Sequence, residues 1–261
     1  TTSGYTVTGL ANGDLIYGLT LNSNGALAAS AVGAGSGASG RYTITPSAAV
    51  GSPGLNTNYN LVYVDGLMTV TPAALIISAI NDSRVYGSST TALNQTYSSN
   101  AASTSSGFSV QGLVNGDLIN TITLTSQGAA TTAAVGGGSL SGGAYSIVPS
   151  AALGSPGLGN NYAITYLPGR MTVTPATLVV SVLGSNKAYD GGTAATVTLS
   201  GNTIGSDVVT ITNSGAVFSD KNAGSGKTVT VSGLSLSGSS AANYTLGGVG
   251  SVTTTADITP A

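Results

Sequence analysis

Histidine, cysteine, glutamate and tryptophan are all missing from the 261 residues. Without the first three, the usual nucleophile–base pairings and soft metal-ligand sets cannot be assembled. A Ser-Lys dyad would have to draw on Lys187, Lys221 or Lys227, all in the last third of the chain. Cysteine's absence is compatible with either an exported or a cytosolic protein, since disulfides outside the cell are an option and not a requirement.

Charge is almost as scarce. Six Lys and Arg stand against eight acids, every one of them Asp, for a net charge of −2. No basic patch is available to release counterions, which argues against a nucleic-acid partner. No apolar run approaches the roughly 20 residues that span a bilayer, and the opening TTSGYTV has neither the charged nor the apolar region of a signal peptide. Direct membrane insertion is not expected, and any export signal would lie outside these residues.

What is present favours strands. Apolar residues make up 41% of the chain, too many for a disordered polyelectrolyte. Thr, Val, Ile and Tyr recur in short runs separated by Gly, Asn, Ser and Pro, while the straight-chain helix formers are few. The expected class is all-β, with at most a short helical turn per unit.

A shift of 103 residues lays Gly4–Ile80 on Gly107–Leu183 without a gap, and 43 of the 77 positions are identical. NGDLI at 12–16 returns at 115–119, GSPGL at 51–55 at 154–158, and MTVTPA at 68–73 at 171–176. The same shift carries Arg84-Val85-Tyr86-Gly87 onto Lys187-Ala188-Tyr189-Asp190, so a third module starts in register before diverging and ends in ITPA at 258–261. Three units are expected: 1–72, 73–175 and 176–261. Pro72, Pro175 and Pro260 are their closing seams. Proline fixes φ and biases the threonine before it toward extension, so each seam should be a short, stiff connector.

Each unit should close with a hairpin that opens at Asn58-Tyr59, Asn161-Tyr162 or Asn243-Tyr244. In the second copy Tyr162, Ile164 and Tyr166 share a face, LPGR would turn the chain, and Met171 and Val173 would return. After the proline, Leu75–Ile80 is apolar on both faces and reads as a central strand covered on both. GLANGDLI and GLVNGDLI read either as a turn or as one helical turn capped by Asn12 and Asn115. Tyr59, Tyr63, Tyr86, Tyr162, Tyr166, Tyr189 and Tyr244 are the candidate core tyrosines, each with its hydroxyl reaching a backbone group.

The first unit begins abruptly. Thr1 corresponds to Thr104, so the counterpart of Ala74–Ser103, with its two-sided apolar strand, does not precede it. Either the chain is a window cut from a longer polypeptide or another molecule supplies that strand.

The first two units, with GLxNGD, YxIxPS, NYxxxYxxGxMTVTPA and the second unit's RVYG, resemble the MBG domain (YGX type) found in tandem in bacterial surface proteins and exported adhesins. The third, with KAYDGGTAA, AVFSDKNAGSGKTVTVSGLSLSG, AANYTL and TTTADITPA, is similar to the YDG domain of filamentous-haemagglutinin-like exoproteins. The resemblance implies β-rich, β-grasp-like beads strung as an elongated rod in a secreted or cell-surface adhesin. It implies no cofactor and no catalytic residue.

Four motifs invite other chemistry. Gly35–Gly40 matches GxGxxG, but RYTITP follows it, a strand where a dinucleotide site needs a helix. AGSGKT at 223–228 lacks the first glycine of a phosphate loop and reads as a Gly-rich hairpin loop. The Asp residues are scattered; Asp14 and Asp117 suit turn capping, and no acidic cluster offers the several oxygens that calcium requires. Lys221 between Asp220 and Asn222 suggests an isopeptide bond, but sequence neighbours are poorly placed for one.

The expected function is a non-catalytic stalk or fibre segment whose partners are neighbouring domains of the same polypeptide or copies of itself. Two alternatives accompany it. One is an adhesive module recognising host or matrix glycan or protein through loops 25–40 and 128–143; the other is a strand-exchanging filament subunit.

Overall fold

The computed structural model describes residues 4–89, 93, 95–101, 104–105 and 107–261. The protein is β-dominated, with several small sheets and, among the described residues, two four-residue α-helical turns, Leu55–Asn58 and Leu158–Asn161. Each helical turn begins at the leucine of GSPGL, after Gly54 or Gly157 in left-handed conformation with φ of 78° and 82°. The chain divides into two compact units: residues 1–78, 97–122 and 150–167, and residues 79–96, 123–149 and 168–261. The Pro72–Ala73 junction is interior to the first unit and the Pro175–Ala176 junction to the second.

In the first unit, Ile16–Asn22, Tyr42–Gly51 and Gly66–Met68 form an antiparallel three-stranded sheet. A second sheet runs in the order Tyr162–Leu167, Ala73–Ala79, Phe108–Gln111, Thr104–Ser105. Its first pair is parallel, from Tyr162 opposite Ala73 to Leu167 opposite Ser78. Ala73–Ala79 is thus an internal strand, with Leu75 and Ile77 fully buried. Its other face is less covered than the sequence suggests: Ile76 and Ser78 are half-buried and Ile80 is exposed.

The expected closing hairpin does not form. Tyr162–Leu167 pairs with Ala73–Ala79, whereas Gly169–Thr174 joins another sheet, antiparallel to Tyr145–Ile147 and parallel to Asp82–Val85. That sheet has the order Asp82–Val85, Gly169–Thr174, Tyr145–Gly154, Ile119–Thr125, Gln95–Ala101. Only Pro168 separates the two strands, and a proline has no N–H to close a hairpin turn. In the first repeat, the equivalent residues 59–65 form no strand.

The long middle strand of each repeat carries a kink. Ala48 and Ala151 have φ of 50° and 52°, an uncommon conformation for alanine. The next amide donates to a tyrosine hydroxyl: Ala49 N to Tyr63 Oη and Ala152 N to Tyr166 Oη, both at 2.9 Å.

In the second unit, the third module begins with Ala176–Thr177 parallel to Tyr244–Thr245 and continues as Val180–Gly184 antiparallel to Val197–Gly201. Val179 and Leu183 on its outer face are exposed, so this strand too is covered on one side only. A four-stranded sheet of Lys187–Ala188, Ser251–Thr259, Gly224–Ser232 and Gly215–Phe218 buries Phe218, Val229, Val231, Ala256 and Ile258. Thr210–Thr212 pairs with Ser235–Ser237. AGSGKT is not a hairpin loop but lies largely within the strand Gly224–Ser232. The register shifts between Gly224 and Lys227, and Gly226 N in that bulge donates to Asp257 Oδ1 at 2.7 Å.

Candidate functional site

One polar device recurs in all three modules and stands at both seams. NGD opens a tight turn, not a helix: Asn12 and Gly13 both have positive φ, as do Asn115 and Gly116, and Asp14 N and Asp117 N donate to Ala11 O and Val114 O. A tyrosine far along the chain then grips the turn. Tyr59 Oη accepts from Ala11 N at 3.0 Å and donates to Asp14 Oδ2 at 2.8 Å; Tyr162 Oη accepts from Val114 N at 3.0 Å and donates to Asp117 Oδ2 at 2.7 Å. The turn aspartates therefore serve as acceptors for phenols and not simply as caps for amides.

The third module has the same grip on a turn that the sequence motif does not flag. Asp207 N donates to Ile204 O, and Tyr244 Oη accepts from Ile204 N at 2.7 Å and donates to Asp207 Oδ2 at 2.5 Å. Ile204-Gly205-Ser206-Asp207 keeps the glycine and the aspartate but not the asparagine, so only the aspartate upstream of an Asn-Tyr pair could have revealed it. A serine supports each turn: Ser52, Ser155 and Ser240 Oγ accept from Leu15, Leu118 and Val208 N.

The asparagines beside Tyr162 and Tyr244 face backward along the chain. Asn161 Oδ1 accepts from Val32 N at 2.9 Å, and Asn243 Oδ1 accepts from Val135 N at 2.8 Å, the two valines being related by the 103-residue shift. At the first seam Asn115 Nδ2 also donates to Ala28 O at 2.9 Å.

The second seam contains a further tyrosine. Tyr86 N donates to Thr174 O, and Tyr86 Oη donates to Asp207 Oδ1 at 3.2 Å. Its ring meets Tyr244 edge-on, with centroids 5.6 Å apart and planes at 73°. Tyr86, Val173, Ala176, Leu178 and Tyr244 together form one buried cluster. Burial pushes the Tyr244 phenol up to about 12, helped by Asp207, and raises Tyr86 in the same direction, also chiefly by burial. The Tyr244 hydrogen bond holds Asp207 below the ordinary carboxylate value.

Arg84, the neighbour but one of Tyr86, is buried and has only carbonyl partners among those the structure gives it. Nε donates to Gly128 O at 2.7 Å, Nη1 to Val85 O and Ser88 O, and Nη2 to Ala130 O and Ala133 O. Burial pulls its pKa down.

Residues 75–172 match the family model of the MBG domain (YGX type), and residues 174–256 match that of the YDG domain. The chain carries an MBG domain followed by a YDG domain. No curated protein matches the chain. Tyr86 and Arg84 thus lie in the MBG domain, Asp207, Asn243 and Tyr244 in the YDG domain, and the second seam is where the two meet. Both are non-catalytic domain families, and such domains are usually extracellular or surface-associated. No helix among the described residues is long and apolar enough to cross a membrane.

The seven candidate tyrosines divide by their neighbours. Tyr86, Tyr162 and Tyr244 are buried, and Tyr59 and Tyr166 are half-buried. Tyr63 and Tyr189 are exposed and are not core residues. Tyr189 makes the equivalent backbone bond to that of Tyr86, from its N to Thr259 O, yet is 41% exposed against 7%, because among the described residues no ring packs on it as Tyr244 packs on Tyr86. Pro72, Pro175 and Pro260 are all exposed. Pro175 alone separates the strand Gly169–Thr174 from the strand Ala176–Thr177.

The other motifs carry no ligand geometry. Gly35–Gly40 is a loop closed by Gly35 N to Gly40 O and Gly37 N to Arg41 O, with a strand after it. Asp220 pairs with Lys227, 2.5 Å away, and not with Lys221. No group of three or more His, Cys, Asp or Glu occurs among the described residues.

Proposed function

We propose that this chain is a non-catalytic spacer segment of a secreted or cell-surface adhesin-type protein, in which the seams couple successive β-domains in series. The observation that carries this reading is the contact of Tyr86 with Tyr244 and Asp207, in which tyrosines of the MBG and YDG domains share one buried cluster and one carboxylate. MBG and YDG domains are compatible with extracellular adhesin-like proteins. A bead of this size buries only about 60 to 65% of its unfolded surface, so shared burial at a seam contributes materially to each domain's stability. Pro175 supports the reading by leaving no slack between the adjoining strands.

Heteronuclear NMR relaxation tests it. A coupled seam gives the MBG and YDG domains a common rotational correlation time, and Tyr86→Ser with Asn243→Ala should separate them. Independent tumbling in the unmodified chain would refute the spacer reading. Saturable micromolar binding to an arrayed glycan would instead favour an adhesive module.

A further inference from the structure

Beside the phenol grip, the YDG domain holds a cleft of about 340 Å³ that reaches the same carboxylate, Asp207. It lies where the strands Val197–Gly201 and Thr210–Thr212 touch without pairing, each belonging to its own two-stranded sheet. Its walls are apolar: Leu178, Val209 and Ile211 come from the cluster around Tyr244, and Leu199 from the cluster around Phe218. Leu178 is buried, whereas Thr203 and Thr210 are exposed, so the cleft opens to solvent. Gly201 keeps it open, because a Cβ there would come within 2.8 Å of Leu178 Cδ2 and 3.0 Å of Ile211 Cδ1.

Asp207 is the single charged residue of the lining, and it is half-buried. Its Oδ1 takes the Tyr86 hydroxyl and its Oδ2 the Tyr244 hydroxyl, with Ser240 as a third hydroxyl donor. These partners stabilise the charge without neutralising it. The ion pairs among the described residues join Lys187 to Asp190 and Lys227 to Asp220, and neither reaches Asp207. Apolar walls keep screening water away, so an added cation is held more strongly there than on open surface. A carboxylate offers about four lone-pair sites, and three hydroxyls leave one. That suits an ammonium, which needs one oxygen, better than a guanidinium, whose planar fork needs two side by side. A metal ion would find a single acid, since no group of three or more His, Cys, Asp or Glu occurs among the described residues. A quaternary ammonium would need ring faces, yet the rings of Tyr86 and Tyr244 pack edge-on against each other and do not line the cleft.

We propose that this cleft binds the side chain of a lysine presented by a partner polypeptide. The four-carbon stem lies along Leu178, Leu199, Val209 and Ile211, and the ammonium donates to Asp207. A long side chain with an apolar stem and a charged tip meets both demands of the cleft at once. The occupant follows from charge complementarity: one ionised carboxylate without a cation, at the end of an apolar passage. This binding role is independent of the spacer reading, since domains that tumble separately can still take up a lysine.

Titration of the isotopically labelled 261-residue chain with Nα-acetyl-lysine methylamide, followed by amide chemical shifts, tests it. Expected is saturation at millimolar strength, with the largest shifts at Gly201, Thr203, Asp207 and Val209. The Nε-acetylated analogue keeps the stem and loses the charge, and should bind about tenfold or more weakly. The arginine analogue should bind about threefold or more weakly. Because these changes are in the ligand, the folding of the chain is unaffected. Gly201→Ala narrows the cleft and spares the carboxylate, and should weaken binding about threefold or more. Shifts that fail to saturate, that appear equally at the exposed Asp65, or that survive acetylation of the ligand overturn the proposal. Spermidine binding tenfold tighter than the lysine analogue makes a free amine the ligand and overturns it. Self-association of the chain that is lost in Lys221→Gln makes a second copy the source of the lysine, and overturns the separate partner.

Discussion

The Tyr244 hydroxyl lies 2.5 Å from Asp207 Oδ2, a phenol–carboxylate bond across 37 residues of sequence. The same bond spans 45 residues between Tyr162 and Asp117 and between Tyr59 and Asp14. In all three units, then, the residue after Asn at the start of the closing segment staples a turn formed much earlier. At the second seam Asp207 also receives Tyr86, so one carboxylate serves both the interior of the YDG domain and its junction with the MBG domain.

Tyr244→Phe should cost about 1–3 kcal/mol, because it removes the Tyr244 hydroxyl from both the Ile204 amide and Asp207 Oδ2. Tyr86→Phe loses one longer bond and should cost about 0.5–1.5 kcal/mol. Urea unfolding followed by circular dichroism would rank them; equal midpoints for the two variants would contradict the assignment.

Alkaline pH should loosen the second seam. Tyr244 titrates at about 12 in the fold against 10.0 ordinarily, and Tyr86 is shifted the same way. A folded pKa above the unfolded one means that the stabilisation is complete below about pH 10 and declines as pH rises from there toward 12. Unfolding midpoints across that range should fall, less steeply in Tyr244→Phe. Asp207, shifted down, acts at the other end: its contribution is present above its ordinary value of 3.8 and is lost as pH falls below it.

Arg84→Ala should destabilise the MBG domain by about 3 kcal/mol or more, since it strips several carbonyls of a charged donor in a buried site. Arg84→Lys should recover only part of the loss, because an ammonium cannot reproduce the planar fork. Thermal unfolding of the two variants beside the parent chain measures both effects.

Asn243→Ala should release the Val135 amide, at a cost of about 1 kcal/mol or roughly fivefold faster hydrogen exchange at that site. Asn161→Ala should do the same to Val32 and leave Val135 unchanged. Exchange that quickens equally at both amides in either variant would show that the two asparagine contacts are not local clasps.

Much of the architecture is legible in the residues. The poverty of helix formers and the short runs of β-branched residues give the β-dominated class, and the 103-residue shift relates equivalent residues of the two copies. Asp14 and Asp117 are equally easy to find as turn residues, but their use is hidden, because a phenol 45 positions away leaves no local pattern. Asp207 is harder still, since its turn has lost the asparagine that marks the other two.

The sequence by itself determined the β-dominated class and which residues recur at the 103-residue shift, since these follow from local backbone preference and from comparing the chain with itself. Tertiary structure decided which strand pairs with which: Tyr162–Leu167 takes Ala73–Ala79 and not the strand that follows it, because Pro168 cannot close a hairpin and a better partner lies nearly ninety residues back. It also decided the fates of Tyr86 and Tyr189, alike in sequence context and backbone bonding. Burial depends on what stands opposite a side chain, and here only Tyr86 has a Tyr244.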